Sequence, residues 1–387
     1  MADLIDRRTF LRAFGSAGVG LTQLSTASAQ LSDNGVQTKV AGPMQRHVEQ
    51  FEKQIDLVRQ SLDIPGMSVA VLHQQAVVFA RGFGIVDLAN GTKATEHTPY
   101  PIASITKTFA AAIIMRLVED GKLDLDAAFS TYDPAYAQWC AKLQSATSPF
   151  VQRLAKDYNC GTERISVRHH MTHTAQGSPG THYRYNGLLF GRLSTIVDTV
   201  SEKGYVRSLK DDILAPLDMR DTALGPNDPS KADLLSHIAK PYRLDADWKL
   251  VESPDAFYGG ITASYGIIST VMDLAKYDIG IDHDLVYSAW ARQQIWTAAT
   301  SPNGQRFPYG LGWFVRERAG HAPRLLWHYG QFDDAYSSIL LKVPDAQLTL
   351  IFVACTDRAS TPFSLGDGDP LRSPFVTLFL DTFGRAG

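Results

Sequence analysis

Residues 101–119 read Pro101-Ile102-Ala103-Ser104-Ile105-Thr106-Lys107-Thr108-Phe109-Ala110-Ala111-Ala112-Ile113-Ile114-Met115-Arg116-Leu117-Val118-Glu119. Phe109, Ile113 and Leu117 recur every fourth residue, so the stretch from Ser104 predicts an α-helix with one apolar face. Ser104 and Lys107 stand three apart at its start, on one side of the helix and within reach of each other. That pairing has a chemical meaning. A serine hydroxyl is a weak nucleophile and must lose its proton as it attacks. A lysine at its reference pKa of about 10.4 is protonated at neutral pH. Burial and the positive end of a helix both disfavour that charge, so Lys107 could act as the base. The Ser104 N–H, in the first turn, can donate to an oxyanion. Read alone, the same residues also fit a helix-capping serine and a solvated lysine. Context decides between the two.

Outward from this helix, the chain is rich in strands at both ends. Met44, Val48, Phe51, Ile55, Val58 and Leu62 are spaced as an amphipathic helix closed by Pro65-Gly66. Met67 to His73 and Ala76 to Phe83 read as a hairpin turning at Gln74-Gln75. Strands return at Gly312–Arg316, Leu325–His328, Ser337–Val343 and Leu348–Ala354, and a helix over Leu371–Phe383 closes the sequence. The middle mixes helical segments with long polar loops. The pattern predicts a mixed α/β part over about 44–100 plus 300–387, with a helical part over about 101–299 inserted between its halves.

Several blocks in order resemble the serine β-lactamase-related family, which includes class C β-lactamases, D-alanyl-D-alanine carboxypeptidases, esterases and amidases. They are Arg81-Gly82-Phe83-Gly84-Ile85-Val86-Asp87, Pro101 to Lys107, and Leu117-Val118-Glu119-Asp120-Gly121-Lys122-Leu123-Asp124-Leu125. Ile165 to Thr174, Pro216 to Thr222 and Gly266 to Ala275 follow, so the likeness spans roughly residues 50–355. Ser104-Ile105-Thr106-Lys107 then matches the family's S-x-x-K motif. The resemblance implies a β-lactamase/transpeptidase-like fold, an antiparallel sheet flanked by helices with an inserted all-helical domain.

It also implies a second motif, Tyr-x-Asn, on the loop after Thr172-His173-Thr174. Here that loop reads Pro179-Gly180-Thr181-His182-Tyr183-Arg184-Tyr185-Asn186-Gly187. Its spacing from Pro179 and the aromatic two residues earlier select Tyr185, with Tyr183 as the alternative. The usual Asn position holds Gly187, and Asn186 comes one place early, so the segment departs from the pattern. Tyr185 suits proton transfer to a leaving group if the Lys107 cation stabilises its phenolate, and Asn186 is the remaining amide for substrate contact. The third motif, Lys-Thr-Gly or a His variant, matches His328-Tyr329-Gly330 before Gln331. The resemblance places His328 on the pocket wall, lets substrate approach over Gly330, and makes the Gln331 N–H a second oxyanion donor. A histidine there is mostly neutral at pH 7. That weakens recognition of β-lactams and peptide C-termini, both carboxylates, and favours esters or neutral amides. A true β-lactamase or carboxypeptidase, and a non-catalytic ligand-binding homologue, remain the alternatives.

Other classes fall away. With 387 residues, 44% hydrophobic and 20% charged, the chain has ordinary globular composition. Lys+Arg 37 against Asp+Glu 40 lacks the basic excess of a nucleic-acid binder. Neither a G-x-S-x-G elbow nor a phosphate or dinucleotide loop is present. His169 and His173 are four apart, but no acidic general base follows as in a zinc protease, and no metal or cofactor is expected. Cys140 and Cys160 could bridge or remain thiols. Asp6-Arg7-Arg8-Thr9-Phe10-Leu11-Arg12, an apolar run from Ala13 to Leu24, and Ala27-Ser28-Ala29 read as a twin-arginine export signal over residues 1–29. A periplasmic or secreted enzyme acting on a small ester, amide or β-lactam, without stable membrane insertion, is the resulting expectation. Its oligomeric state stays open.

Overall fold

Met67 and Ala354 face each other as neighbours in one antiparallel sheet, so the two ends of the chain build it together. The structure, a computed structural model, describes residues 43–160, 164–253, 260–320 and 322–384. The expected export signal lies outside them. A helix, α1 (Pro43–Ser61), leads into β1 (Gly66–His73), β2 (Ala76–Asp87) and β3 (Thr92–Lys93). Four more strands come from the other end: β9 (Phe314–Arg316), β10 (Leu325–Phe332), β11 (Tyr336–Val343) and β12 (Leu348–Ala354). The order is β3-β2-β1-β12-β11-β10-β9. Gln74 and Gln75, at φ 52° and 63°, form the tight turn whose twist suits a two-residue hairpin.

Alternation along these central strands divides the core in two. Val69, Val71, Leu350, Phe352 and Ile339 face α1 and the closing helix α4 (Pro374–Phe383). Phe51 of α1 is fully buried there, 5.2 Å from Phe383 and 5.8 Å from Phe79 between ring centres. Burying such a ring contributes about 1.5–3 kcal/mol. Ala70, Leu72, Ile351, Val353 and Leu340 face the other way, toward the helices of the middle region. Among those, α3 (Val271–Asp282) is tied to the sheet by the buried Lys342, whose ammonium donates to Asp278 at 2.5 Å and to Asp282 at 3.1 Å.

The boundaries differ from expectation where local chemistry intervenes. β10 runs on to Phe332, because Gly330, Gln331 and Phe332 continue pairing with Ser338, Ser337 and Tyr336. The closing helix starts at Pro374, after a 3₁₀ turn at Pro370–Arg372, with proline in its first turn. The inserted part is not all helical. It contributes β5 (Ala223–Leu224) and β8 (Ile267–Ser269) to a small sheet with β4 (Tyr100–Pro101), and a hairpin of β6 (Tyr242–Leu244) and β7 (Leu250–Glu252). The β4–β8 pairing has a consequence for the site, because both strands lead directly into residues that meet there.

Candidate active site

The chain leaves β4 through Ile102, whose N–H donates to the Ile267 carbonyl of β8 at 3.0 Å. Ala103 then takes φ 46°, a left-handed conformation that a residue with a Cβ rarely adopts. Such strain costs on the order of 1 kcal/mol and is held by its surroundings. It turns a short 3₁₀ segment, Ala103–Ile105, into α2 (Thr106–Glu119). Ser104 is half-buried on that turn, while Lys107, one turn on, is fully buried.

Lys107 Nζ lies 2.8 Å from Ser104 Oγ, as the spacing predicts. It also reaches Ser264, at 2.7 Å from Oγ and 3.1 Å from the carbonyl. Burial alone pushes its pKa well below the usual lysine value, which favours the amine form that can take a proton from the serine. Ser264 had no signal in the sequence. It lies just before β8, and the β4–β8 pairing brings it opposite the nucleophile turn.

Tyr185 lays its ring 5.0 Å from Lys107 Nζ, centroid to nitrogen. Burial raises its pKa well above the ordinary phenol value, and the Ser104 side chain offsets part of that shift. Its hydroxyl lies near enough to the Ser104 side chain to feel it, but makes no hydrogen bond of normal geometry among the described residues. Burial thus disfavours the charged form of both groups, the ammonium of Lys107 and the phenolate of Tyr185. Tyr183 is used elsewhere, donating to the Gly366 carbonyl at 3.1 Å. Of the two tyrosines, only Tyr185 has a hydroxyl without such a partner.

Asn186 does not contact this centre as expected. It is buried and caps the helix Gly187–Gly191, its Oδ1 accepting from the Leu189 N–H at 3.1 Å. Its Nδ2 donates to the Leu154 carbonyl at 2.7 Å and to Gln176 Oε1 at 2.9 Å. One residue of offset aims the amide into the scaffold instead of at substrate. The adjacent Gly187 is the one that faces the lysine: a Cβ there would sit 3.1 Å from Ser264 Oγ and 4.0 Å from Lys107 Nζ.

His328 also departs from expectation. It is fully buried, so it forms no wall of an open pocket. Nδ1 lies 2.6 Å from the Tyr329 carbonyl, which can only accept, so that nitrogen carries the proton. Nε2 therefore accepts from the Tyr309 hydroxyl at 2.8 Å. Desolvation, then the nearby Lys107, hold its pKa well below the ordinary imidazole value. His328 is a neutral support beneath Tyr185, with ring centres 6.2 Å apart.

Gly330 makes room for the protein itself. A Cβ there would meet Ser338 Oγ at 2.2 Å and the Ile102 carbonyl at 2.3 Å. The nucleophile turn thus rests directly on β10, and Ser338 Oγ anchors it by donating to Ile102 O at 2.8 Å. Beyond it, the Ala335 N–H donates to the Phe332 carbonyl at 3.0 Å, so Phe332 points its backbone groups toward β11. By antiparallel alternation, those of Gln331 point the other way, onto an edge that β9 covers only as far as Trp327. The Gln331 side chain turns away to Asp333, at 2.7 Å. Tyr265, beside Ser264, meets Phe332, beside Gln331, edge to face at 5.9 Å, so an aromatic pair joins the lysine side of the centre to the strand edge.

The remaining histidines and cysteines have other partners. His169 Nδ1 accepts from the Ser166 N–H at 3.0 Å, whereas His173 lies beyond the helix Val167–Met171 and accepts from the Asn186 N–H at 3.1 Å. Desolvation, then Lys107, hold the His173 pKa well below normal. Among the described residues no group of three or more His, Cys, Asp or Glu is placed to hold a metal ion. Cys140 and Cys160 are free thiols. No helix among the described residues is long and apolar enough to cross a membrane.

This fold, with a serine and a buried lysine at the start of one helix beside a strand edge, is that of the β-lactamase/transpeptidase class. The Beta-lactamase family model matches residues 45–364, and the chain belongs to that family. It is 25% identical over 334 residues to Protein flp of Staphylococcus aureus (strain MW2), covering 80% of this chain and 64% of that protein. It is 20% identical over 297 residues to penicillin-binding protein 4* of Bacillus subtilis (strain 168), covering 72% of this chain and 65% of that protein. The chain thus spans less than two thirds of either relative. Among solved structures, an octameric penicillin-binding protein homologue from Pyrococcus abyssi superposes with TM-score 0.67 at 23% identity, over 85% of this chain and 80% of that one. The D-amino acid amidase of Ochrobactrum anthropi SV3, complexed with D-phenylalanine, gives 0.67 at 18%, over 89% and 100%. Both superpositions show the shared fold.

Proposed function

We propose that the chain is an exported serine hydrolase that cleaves ester or amide carbonyls through an acyl-enzyme on Ser104. The observation that carries this is Lys107 Nζ at 2.8 Å from Ser104 Oγ, fully buried, with its pKa well below normal. Ser104 Oγ attacks the carbonyl carbon as its proton passes to Nζ. The oxyanion is held by the N–H groups of Ser104 and Gln331. Collapse breaks the bond to the leaving group, which takes its proton from the Tyr185 hydroxyl; the proton held by Lys107 then returns to Tyr185 through water, because the two side chains share no hydrogen bond. Water then releases the acyl group from Ser104. Proton-transfer groups of this kind contribute about 10²–10⁴-fold each, and not additively.

The substrate class follows from charge. His328 is neutral and enclosed, so it supplies no cation for a substrate carboxylate. Neutral esters or amides are therefore favoured, which is compatible with the amidase activity for which the structurally similar D-amino acid amidase is named. Family membership supports the second reading, a β-lactamase or carboxypeptidase. Export rests on the twin arginines and small-residue cleavage pattern of residues 6–29.

Labelling with a fluorophosphonate, followed by peptide mapping, is expected to place the adduct on Ser104. Ser104→Ala should abolish turnover of p-nitrophenyl butyrate; undiminished turnover refutes the mechanism. A kcat/KM strongly favouring nitrocefin over the ester reverses the order of substrates. An absence of any covalent adduct favours a non-catalytic homologue.

A further inference from the structure

Lys107 Nζ meets three oxygens: Ser104 Oγ, Ser264 Oγ and the Ser264 carbonyl. To take the serine proton Lys107 must be a neutral amine, with two N–H donors and one lone pair. The carbonyl can only accept, so it takes one N–H. The other N–H and the lone pair remain for the two hydroxyls, one accepting and one donating. If Ser264 donated, its proton would occupy the lone pair and leave Ser104 facing an N–H. Ser104 is activated only when Ser264 Oγ accepts the second N–H, which turns the lone pair onto the nucleophile. Ser264 is 3% exposed and packs against Gly187, where any Cβ would approach its hydroxyl to 3.1 Å. The missing side chain at residue 187 therefore leaves the space that the Ser264 hydroxyl occupies.

We infer that Ser264 is a positioning residue of the active site, whose hydroxyl fixes the lone pair of Lys107 on Ser104 and then holds the ammonium formed by proton transfer. This rests on the acyl-enzyme reading above. The groups facing Lys107 are Tyr185 from its loop, His173 from the turn after Val167–Met171 and His328 from β10; among the described residues no carboxylate acts on it. Burial sets the direction of its shift, and the hydroxyls are the polar side-chain groups within hydrogen-bond distance of it. Removing an acceptor that favours the ammonium lowers the pKa of the amine further.

The test is the pH profile of p-nitrophenyl butyrate hydrolysis by Ser264→Ala and Ser264→Thr. In the alanine variant kcat should fall by about 10²-fold with KM little changed, and the acidic limb of kcat/KM should move to lower pH. The threonine variant, which keeps the hydroxyl, should restore both. A wild-type rate and limb in Ser264→Ala overturn the inference, and so do equal losses in the two variants, which would mark a packing role. Thermal unfolding identifies a variant that has not folded; threonine against wild type then carries the test, an unmoved limb with lowered kcat counting against it. Ser104→Ala is the control: inactive alongside an unaffected Ser264→Ala, it retains the acyl-enzyme reading and rejects this one, whereas an active Ser104→Ala rejects the reading itself.

Discussion

Lys107 meets the face of Tyr185, 5.0 Å from the ring centre, and not its hydroxyl. The ring and the hydroxyl therefore do different things. The ring face attracts an ammonium once Lys107 has taken a proton, while the hydroxyl is available for the leaving group. Tyr185→Phe keeps the first and deletes the second. Its kcat on p-nitrophenyl acyl amides should fall by about 10²–10⁴-fold, with the melting temperature nearly unchanged. Tyr183→Phe, which loses only the bond to Gly366, should retain most of the rate. Steady-state kinetics of the two variants side by side check this.

Lys107 links activity and stability to pH. Because its folded pKa lies well below 10.5, folding at a pH between the folded and unfolded values releases a proton that the unfolded chain keeps. The unfolded state binds more protons, so this group's contribution to stability rises with pH. Its penalty is absent above about pH 10.5, grows as pH falls and levels off below the folded pKa. Lys107→Met should be inactive yet more heat-stable than wild type at pH 7, with the gain shrinking toward pH 10. Melting curves across that range measure it.

Asn186 serves the scaffold, so its loss should be read in stability. Asn186→Ala removes a helix cap and two side-chain donor bonds, costing about 2 kcal/mol. Denaturant unfolding should show that loss. At temperatures where the variant is folded, kcat on an activated ester should stay within a few-fold of wild type, by direct assay.

His328→Lys is expected to fail as a route to β-lactam binding. The ammonium would enter a fully buried site among Tyr185, Tyr309 and Phe314, where desolvation disfavours charge. The melting temperature should drop and nitrocefin turnover should not rise. Tight binding of a substrate carboxylate by a stable variant would contradict the geometry.

Gly330→Ala should displace the nucleophile. Its methyl would press on the Ile102 carbonyl and Ser338, moving the turn that carries Ser104. Activity on every ester should fall together, with kcat affected more than KM, by initial-rate measurement.

Much of this arrangement was legible in the sequence, for physical reasons that differ from residue to residue. Ser104 and Lys107 sit on one helix, so their separation is a property of local periodicity. The hairpin at Gln74-Gln75 and the apolar runs of the central strands were equally local. Ser264 was not legible, because it reaches Lys107 through pairing between strands far apart in sequence. Asn186 and His328 carried the right residue types near the right places. A one-residue offset and a full burial, neither visible in a linear pattern, send their side chains into the scaffold.

The pairing of β1 with β12 has a kinetic meaning as well. Met67 finds Ala354 only after residues 68–353 have been made, and closing so long a loop makes folding slow. Gly330 and Gln331, which seat the nucleophile turn and present the strand edge, are also made late. A nascent chain lacking them holds Ser104 and Lys107 on a helix that has nothing to lean on. The chemistry is thereby withheld until β10 to β12 have been made, and a protease cut that frees those strands would switch it off without touching either residue.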